Sequence, residues 1–514
     1  MAKLAKVMAN FYRDSVTLMQ LSARLAALPG ISQASVVMAS ESNLALLREA
    51  GLLSGEVAAG SNDLLLAIEG GEAAVAAGMA AAEEGLNEAL PATNGGLREQ
   101  PPLSLEMGLE KAPSANLALI STPGDYAAAE AMKALRLGLN VMLFSDNVRL
   151  ADEIALKRYA AAHALMMMGP DCGTAIIGGV PLGFANVVRR GNIGLVGASG
   201  TGLQQVSTLI DRLGAGISQA IGTGGHDLSA EVGGITARQG LAALAADEAT
   251  RVIVLISKPP APEVAPRVLE EARRTGKPVI VNFIGADANP IAALGLTPAK
   301  TLEDAAVAAV ALATGAPIGP ADWPTEEPPG TAEGKKNRRR GYVRGLYSGG
   351  TFCYEASLLL GECLADVFSN TPVGPVRKLE NVWQSQAHTL VDLGDDVFTR
   401  GRPHPMIDLR LRLERLASEA HDPETAVILL DIVLGYGAHP DPAGAIAPAI
   451  EAAIAEARMS GRHLAVVGFV CGTAADPQNL ELQQARLADG GMILARSNAE
   501  AVRRAARIAL AEGA

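Results

Sequence analysis

The sequence predicts a multidomain α/β protein, and three observations support this fold class. The chain has 514 residues, of which 49% are hydrophobic and only 3% aromatic, which is enough apolar material for several cores. Apolar strand patterns alternate with helical patterns along almost the whole chain, as they do in parallel sheets covered by helices on both faces. Two glycine-rich turns head segments of similar order, which indicates an internal duplication.

The first two regions each read as a small unit. Residues 1–97 predict a small α/β, ferredoxin-like domain of alternating strands and helices, with its first strand over Val7–Tyr12. A polar, proline-bearing stretch follows. Residues 116–190 then begin a second unit with the strand Leu117–Ile120 and the turn Ser121–Asp125. The order of its elements is typical of a mononucleotide-binding fold.

The duplicated units cover residues 191–317 and 341–514. In the first, a strand leads into the turn Gly197–Gly202 and then a helix. In the second, a strand leads into the turn Tyr347–Thr351 and then a helix. A later turn rich in Gly and Asp follows in each unit, at Gly222–Asp227 and at Asp392–Asp396.

Residues 318–340 separate the duplicated units. They contain several prolines and the basic run Lys335–Arg340, and we interpret them as a solvated linker.

The two glycine-rich turns predict a paired anion site. The first N–H groups of a helix have no intrahelical acceptor, and the positive end of the helix dipole lies there, so a phosphate or carboxylate is held without a metal. Either turn alone is also compatible with an ordinary helix cap. The residues expected to bind phosphate or substrate are Ser199, Gly200, Thr201, Gly202, Gly224, Gly225, Ser348, Gly349, Gly350, Thr351, Asp392, Gly394, Gly435 and Gly437.

Four polar residues are candidates for catalysis. His226 stands in a Gly/Asp turn, where an imidazole transfers protons near neutral pH. Lys258 could neutralise developing charge, although a lysine before two prolines is equally compatible with a structural role. Asp431 ends a strand, at the edge where open α/β sheets bind ligands.

The fourth candidate is His404, which lies in a loop with Asp408. The arginines of this loop would bind a carboxylate in bidentate fashion, and a salt-bridged loop closure is the alternative. These arginines are Arg400, Arg402 and Arg410.

Composition and charge exclude several classes of partner. The formal net charge of −12 argues against nucleic acid and against an anionic membrane surface. The 4 cysteines show neither zinc-ligand spacing nor the density of a disulfide framework, which fits a reducing compartment. The start of the chain carries charges and no signal peptide pattern, and no apolar run reaches the length of a membrane span. We therefore expect a cytoplasmic protein.

At this point several ordered motifs resemble a known family. Gly169–Cys172, Gly191–Thr201 and Ala220–Asp227 occur in the order found in the α subunit of succinyl-CoA synthetase, and Leu390–Gly394 and Val427–Gly437 resemble the ligase domain of its β subunit. The fusion of both, preceded by an extra domain, is similar to the FdrA family. The resemblance implies a Rossmann-like CoA-binding-type domain at 116–190 and two flavodoxin-like ligase-type domains at 191–317 and 341–514.

The departures from the synthetase bear on mechanism. The synthetase passes phosphate through a histidine in a loop that corresponds to residues 282–290, and this stretch contains no histidine. Lys258 stands where the family has a carboxylate that positions that histidine. The ATP-grasp half of the β subunit is also not recognised. The phosphoenzyme step and an autonomous ATP-dependent ligase are therefore disfavoured.

The resemblance to FdrA implies a carbamoyl- or acyl-phosphate transferase subunit, acting in allantoin degradation as oxamate carbamoyltransferase. In this reaction oxalurate and phosphate give oxamate and carbamoyl phosphate, so phosphate is a substrate. One alternative is an acyl-CoA synthetase component that binds CoA on residues 116–190 and takes its nucleotide-binding half from another chain. Another is a non-catalytic, metabolite-binding scaffold.

Cofactors and partners follow from these readings. CoA binding stays open, because the turn Ser121–Asp125 lacks the G-x-G-x-x-G pattern, and no metal is expected. The expected ligands are a carbamoyl or acyl phosphate and an oxamate-like acid. The chain is expected to work in a hetero-oligomer with subunits encoded by adjacent genes.

Overall fold

The computed structural model describes residues 2–53, 55, 57–88, 102–317, 341–399 and 402–512. The chain forms two compact units, one of Met1–Asp171 with Asp396–Asp408 and one of Cys172–Asp395 with Leu409–Ala514. The expected linker at 318–340, with its basic run, and Arg400 lie outside the described residues. Within the described parts of the chain, no helix is long and apolar enough to cross a membrane.

The first unit begins with a small α/β domain, as predicted. Its elements are β1 (Ala2–Met8), α1 (Ser15–Ala26), β2 (Ile31–Met38), α2 (Glu41–Glu49), β3 (Leu64–Gly70) and α3 (Glu72–Glu88). The three strands form an antiparallel sheet in the order β1-β3-β2. The strand predicted at Val7–Tyr12 begins earlier in the structure, because β1 is an edge strand whose mostly exposed residues give only a weak apolar pattern.

Both faces of this small sheet are covered. Alternate residues of β3 point to opposite faces. Leu66 and Ile68 join the core beneath α1 and α3, whereas Leu65 packs with Leu44 and Leu47 of α2. The small domain therefore has two apolar layers.

A three-stranded parallel sheet follows in the first unit. Its elements are α4 (Leu105–Lys111), β4 (Leu117–Ile120), α5 (Gly124–Arg136), β5 (Asn140–Leu143), α6 (Leu150–Ala162) and β6 (Met167–Met168), and the short helix α13 (Asp396–Thr399) belongs to the same unit. The strand order is β4-β5-β6. The strand predicted at Leu117–Ile120 is confirmed.

The second unit contains two seven-stranded sheets. The elements of the first are β7 (Thr174–Ile177), β8 (Val180–Gly183), β9 (Arg190–Gly197), α7 (Gly200–Arg212), β10 (Ile217–Gly222), α8 (Ile235–Ala246), β11 (Val252–Ser257), α9 (Ala265–Arg274), β12 (Val279–Phe283), α10 (Asn289–Ala293), β13 (Thr297–Pro298) and α11 (Leu302–Thr314). The order is β13-β12-β11-β9-β10-β7-β8, which contains the flavodoxin-like arrangement.

The hairpin of β7 and β8 departs from the expected domain division. We expected residues 116–190 to form one unit, but this hairpin extends the first sheet of the second unit by pairing antiparallel with β10. Gly178 and Gly179 have φ values of +61° and +84°, which suit a two-residue turn whose twist matches the strands. The new sheet therefore starts before residue 191.

The second sheet repeats the first. Its elements are β14 (Tyr342–Tyr347), α12 (Gly350–Cys363), β15 (Val367–Ser369), β16 (Arg377–Lys378), β17 (His388–Asp392), α14 (Arg410–His421), β18 (Thr425–Val433), α15 (Pro442–Met459), β19 (Ala465–Cys471), α16 (Leu480–Asp489), β20 (Met492–Ala495) and α17 (Asn498–Glu512). The order is β16-β15-β17-β14-β18-β19-β20. With β14 matching β9 and β17 matching β10, the core repeats the flavodoxin-like order, and the predicted α/β fold class is confirmed.

Buried polar contacts join the two sheets. The Asn186 side chain donates to the Leu434 carbonyl at 2.9 Å and to Asp476 at 2.8 Å. At another point the Leu302 N–H donates to Glu355 at 2.8 Å. A buried polar group that loses its hydrogen-bond partner costs free energy. These contacts therefore hold the two sheets in one position relative to each other.

Candidate active site

The two glycine-rich turns lie in direct contact. Ser199 caps α7, and its hydroxyl accepts a hydrogen bond from the Gly202 N–H at 2.9 Å. The same hydroxyl is hydrogen-bonded to the Thr351 hydroxyl of α12 at 2.5 Å. The structure therefore brings the starts of the two helices together.

Two glycines leave the junction of the two turns partly open to solvent. Ser199 and Thr351 are buried, but Gly200 and Gly350, the first residues of α7 and α12, are partly exposed. The N–H groups in the first turn of each helix have no intrahelical acceptor, and the positive ends of both helix dipoles converge here. This arrangement suits a small anion.

At the turn Tyr347–Thr351, a carboxylate of the protein accepts hydrogen bonds from some of the backbone N–H groups. Asp431 accepts hydrogen bonds from the Ser348 N–H at 2.8 Å, the Ser348 hydroxyl at 2.6 Å and the Gly349 N–H at 3.1 Å. Arg412 donates to the same carboxylate at 3.0 Å, and both side chains are almost completely buried. Asp431, which the sequence suggested for catalysis, instead holds the turn in place.

Asp392 lies beside the start of α12. Its Oδ2 atom is 2.6 Å from where a Cβ at Gly350 would stand, so only glycine leaves room for this carboxyl group. The Gly394 N–H donates to Asp392 at 3.0 Å. Burial raises the pKa of Asp392 to about 7, although the Lys258 ammonium and the Gly394 N–H both lower it. A carboxyl group with such a pKa is suited to proton exchange near neutral pH.

Lys258 brings a positive charge to the same place. It follows β11 of the first sheet and is exposed. Its Nζ atom lies 5.2 Å from the centre of the Tyr354 ring on α12, in cation–π range. The Lys258 ammonium lowers the pKa of Asp392, which agrees with the cation of one sheet lying near the carboxyl group of the other.

The turn that contains Gly224, Gly225 and His226 adjoins the first glycine-rich turn. The Thr223 N–H donates to the Gly197 carbonyl at 2.9 Å. His226 and Gly225 are exposed. The buried Asp227 caps α8 by accepting from the Thr236 N–H at 3.0 Å and the Ala237 N–H at 2.8 Å, so the aspartate of this turn has a structural role.

His404 lies in the first compact unit, whereas the glycine-rich turns lie in the second. Its Nδ1 atom accepts a hydrogen bond from the Met406 N–H at 3.2 Å. Its carbonyl accepts from the Ile407 N–H at 2.8 Å and the Asp408 N–H at 3.0 Å. These bonds give His404 the geometry of a turn cap.

Gly435 and Gly437, which the sequence suggested for ligand binding, lie where another segment packs closely against them. Their φ values are +103° and +80°, which glycine adopts without strain. A Cβ at Gly435 would lie 2.5 Å from the Ala185 carbonyl oxygen, and one at Gly437 would lie 2.7 Å from the Phe184 ring. Both glycines are needed for the close approach of the segment that follows the β7–β8 hairpin.

A separate pocket of about 470 Å³ lies at the opposite edge of the second sheet, near the starts of its strands. Two ion pairs line it, Arg344 with Asp422 at 2.8 Å and Arg377 with Asp366. Ligands of open α/β sheets bind at the other edge, beyond the carboxyl ends of the strands. The candidate site is therefore the junction of the two helices.

The chemistry of this junction fits a phosphate group. Glycine at 202 is required by packing, because a Cβ there would lie 2.6 Å from the Ser199 hydroxyl oxygen. The convergent N–H groups and Lys258 supply donors and positive charge. Among the described residues, no group of three or more His, Cys, Asp or Glu side chains is arranged to hold a metal ion.

Three family models match the chain. A CoA-ligase model matches residues 346–508, and a CoA-binding-domain model matches residues 188–285. A model described as AllF, heavy metal-associated domain, matches residues 1–102. The CoA-binding match covers β9 to β12 of the first sheet, whereas we expected CoA-binding character at 116–190.

Among full-length relatives, the uncharacterized protein YahF of Escherichia coli is 44% identical over 501 residues, which cover 95% of each chain. The succinate–CoA ligase [ADP-forming] α subunit of Aquifex aeolicus is 28% identical over 194 residues, which cover 35% of this chain and 60% of that subunit. The chain thus matches less than two thirds of the length of that ligase subunit.

Solved structures resemble the chain more weakly. Acetyl-coenzyme A synthetase 1 of Ca. Korarchaeum cryptofilum, a dinucleotide-forming enzyme solved with phosphate and ADP, shares 15% identity. The alignment covers 82% of this chain and 88% of that chain, with a TM-score of 0.35.

Proposed function

Because the chain belongs to the same family as YahF, and because it carries CoA-ligase and CoA-binding domains, we propose that it is a subunit of an acid–thiol-ligase-type enzyme that uses an acyl phosphate directly. The observation that carries this proposal is the buried hydrogen bond of 2.5 Å between Ser199 and Thr351. It marks the point where two helix N-termini converge next to Lys258 and Asp392.

The proposed reaction is acyl transfer between phosphate and a thiol. When bound, CoA supplies that thiol. The carbon–sulfur bond forms while the bond between the acyl carbon and the phosphate oxygen breaks, and the thiol proton leaves through a base. Inorganic phosphate is the second product, and the reverse direction makes an acyl phosphate.

The helix junction stabilises the phosphate group in this reaction. Negative charge builds on the bridging oxygen as the bond to carbon breaks. Gly200, Thr201 and Gly350 lie in the first turns of α7 and α12, where N–H groups have no intrahelical acceptor, and we propose that they donate to the phosphate; each such donor is worth about 2–4 kcal/mol in the transition state. Lys258 adds a full positive charge next to them.

Asp392 is the proposed proton acceptor. Its pKa of about 7 lets it take a proton near neutral pH and release it to the departing phosphate or to water. Lys258 stabilises the ionised form between these events. Asp392 thus replaces His226 and Asp431 as our candidate for the general base.

Direct transfer of the acyl group from phosphate, without a phosphoenzyme, agrees with the sequence of the segment that corresponds to the phosphohistidine loop of succinyl-CoA synthetase. Residues 282–290 contain no histidine, and a Cβ at Gly285 would lie 2.6 Å from the Leu358 side chain of α12. The loop at residues 282–290 therefore packs on α12 of the second sheet. We expect no acid-labile phosphate on the chain after incubation with acyl phosphate.

Carbamoyl transfer is a second candidate for the same site. Direct use of phosphate without a phosphohistidine favours it, since oxalurate and phosphate would give oxamate and carbamoyl phosphate by the same bond changes at a carbamoyl carbon. The nitrogen of oxamate then takes the place of the thiol sulfur. In both readings, partner subunits encoded by adjacent genes are proposed to complete the enzyme.

The test is an acyl-transfer assay with the chain alone and with proteins co-expressed from adjacent genes. Acetyl phosphate with CoA, and carbamoyl phosphate with oxamate, are supplied in separate arms, and thioester, oxalurate and phosphate are measured. Activity in one arm that falls at least tenfold in Ser199→Ala and Thr351→Ala, but not in the exposed control Ser460→Ala, would support the proposal. Activity that survives both substitutions unchanged would overturn it.

A further inference from the structure

The N-terminal domain matches a heavy-metal-associated family, but its residues do not fit such a metal. Residues 1–102 contain neither cysteine nor histidine. Heavy and transition metals in proteins are held mainly by thiolates, imidazoles and thioethers. The two ligand types that bind these ions most strongly are therefore missing from the matched segment.

Three thioethers of this domain are used for packing. Met38 and Met79 belong to the hydrophobic core beneath α1 and α3, and Met8 packs against the same core. Methionine fills irregular gaps in cores well because its side chain is flexible and polarizable. These sulfur atoms are distributed through a packed interior and are not grouped around a common point on the surface.

The carboxylates near the β1–α1 loop are also engaged. Asp14 caps α1 by accepting from the Thr17 N–H at 3.0 Å and from the Thr17 hydroxyl at 2.6 Å. Asp63 accepts from the Gly60 N–H and from the Asn10 N–H, both at 2.8 Å. Each carboxylate thus holds a turn of the backbone, and metal binding would break these hydrogen bonds.

The β1–α1 loop, residues 9–14, is also held by its own domain. Arg13 donates to the Leu86 carbonyl at 3.0 Å and lies 4.6 Å from the centre of the Phe11 ring. The loop is therefore fixed by contacts within the N-terminal domain.

We infer that this N-terminal domain does not bind a heavy metal. The inference is independent of the proposed acyl transfer.

Metal content tests the inference. The full chain is treated with iodoacetamide, which removes reactive thiols elsewhere but finds none in residues 1–102. It is then incubated with Zn²⁺ or Cu⁺, desalted and analysed by mass spectrometry. We expect only trace metal. Retention of about one metal ion per chain by the alkylated protein would overturn the inference.

A matched gain-of-function variant shows that the assay detects metal in this loop. Asn10→Cys combined with Arg13→Cys creates C-x-x-C spacing, which is typical of metal sites. Without alkylation, this variant should retain more Zn²⁺ than the wild type, by up to about one ion per chain.

Discussion

The hydroxyl oxygens of Ser199 and Thr351 lie 2.5 Å apart although 152 residues separate them in the chain. Each belongs to the first turn of a helix that follows the central strand of its sheet. Their contact places two positive helix ends at one point. Two turns that are individually compatible with ordinary caps therefore meet at the anion site that we propose.

Gly350→Ala should reduce acyl transfer by about tenfold or more, because a Cβ at this position would stand 2.6 Å from Asp392 Oδ2 and displace a carboxyl group that we place in the proton transfer. Transfer rates measured at saturating acyl phosphate would show the loss as a lower kcat. Gly108→Ala is the matched control, since nothing lies within 4 Å of a Cβ there. A kcat for Gly350→Ala equal to that of the control would argue against the role of Asp392.

The pH profile of acyl transfer should reflect Asp392. Because burial raises the pKa of this carboxyl group to about 7, and because only its ionised form accepts a proton, the rate should rise with pH and level off above about 7. Asp392→Asn should abolish this rise together with most of the activity.

Asp395→Asn tests whether the rise of the acyl-transfer rate with pH belongs to Asp392. The negative charge of Asp395 raises the pKa of Asp392, so its removal should shift the midpoint of the profile toward lower pH without eliminating it. A midpoint that stays in place, or moves to higher pH, would assign the rise to another group.

Lys258→Ala should weaken binding of inorganic phosphate and of acyl phosphate, by about tenfold at low ionic strength, because the exposed ammonium contributes a charge that salt screens. Titration calorimetry at low and high salt would measure both the loss and its salt dependence. Lys300→Ala removes another exposed lysine, one that is paired with Glu362 at 2.8 Å, and should leave phosphate binding unchanged. Equal losses in both variants would mean that only net charge matters.

Asp431→Ala should destabilise the protein by about 3–5 kcal/mol, because it leaves the guanidinium of Arg412 buried without its partner. Denaturant unfolding would measure this change. The paired variant Asp431→Ala with Arg412→Met should recover part of the lost free energy of unfolding, since no buried charge is left over. If Asp431→Ala instead abolished activity without any loss of stability, Asp431 would have to contact the substrate.

Glu355 should make stability depend on pH. Burial raises the pKa of Glu355 to about 7, against the opposing effects of the Leu302 N–H and of Asn498. The folded protein therefore binds a proton that the unfolded chain releases between about pH 4.3 and 7, so the free energy of unfolding should fall as pH rises through this range and stay low above it.

Glu355→Gln should remove this part of the pH dependence and raise stability at pH 8 relative to wild type, by about 1–3 kcal/mol. Unfolding curves at pH 5.5 and pH 8 would measure the difference. A variant that loses stability equally at both pH values would show that Glu355 is ionised in the folded protein.

Much of the site could be predicted from the sequence because its signals are local. Apolar strand patterns followed by glycine-rich turns predicted a helix after each turn, at 202–213 and 354–365, and the helices in the structure begin earlier, at Gly200 and Gly350. The similar order of elements in the two halves predicted the duplication, and the strand orders of both sheets confirm it. Glycine turns, helix caps and apolar periodicity depend on residues a few positions apart in the chain, so they can be predicted from the sequence.

The tertiary structure alone decided which of the polar candidates meet. The sequence predicted that Asp431 ends a strand, but β18 continues to Val433. Asp431 is engaged by Arg412 and by the backbone N–H groups of Ser348 and Gly349. Asp392 does end its strand, and it lies next to Gly350 with a pKa raised by burial to about 7. Gly435 and Gly437 proved to be packing positions because a distant segment approaches them. Burial and long-range contacts set the charge state of a side chain and its partners, and neither property is encoded in the residues adjacent to it.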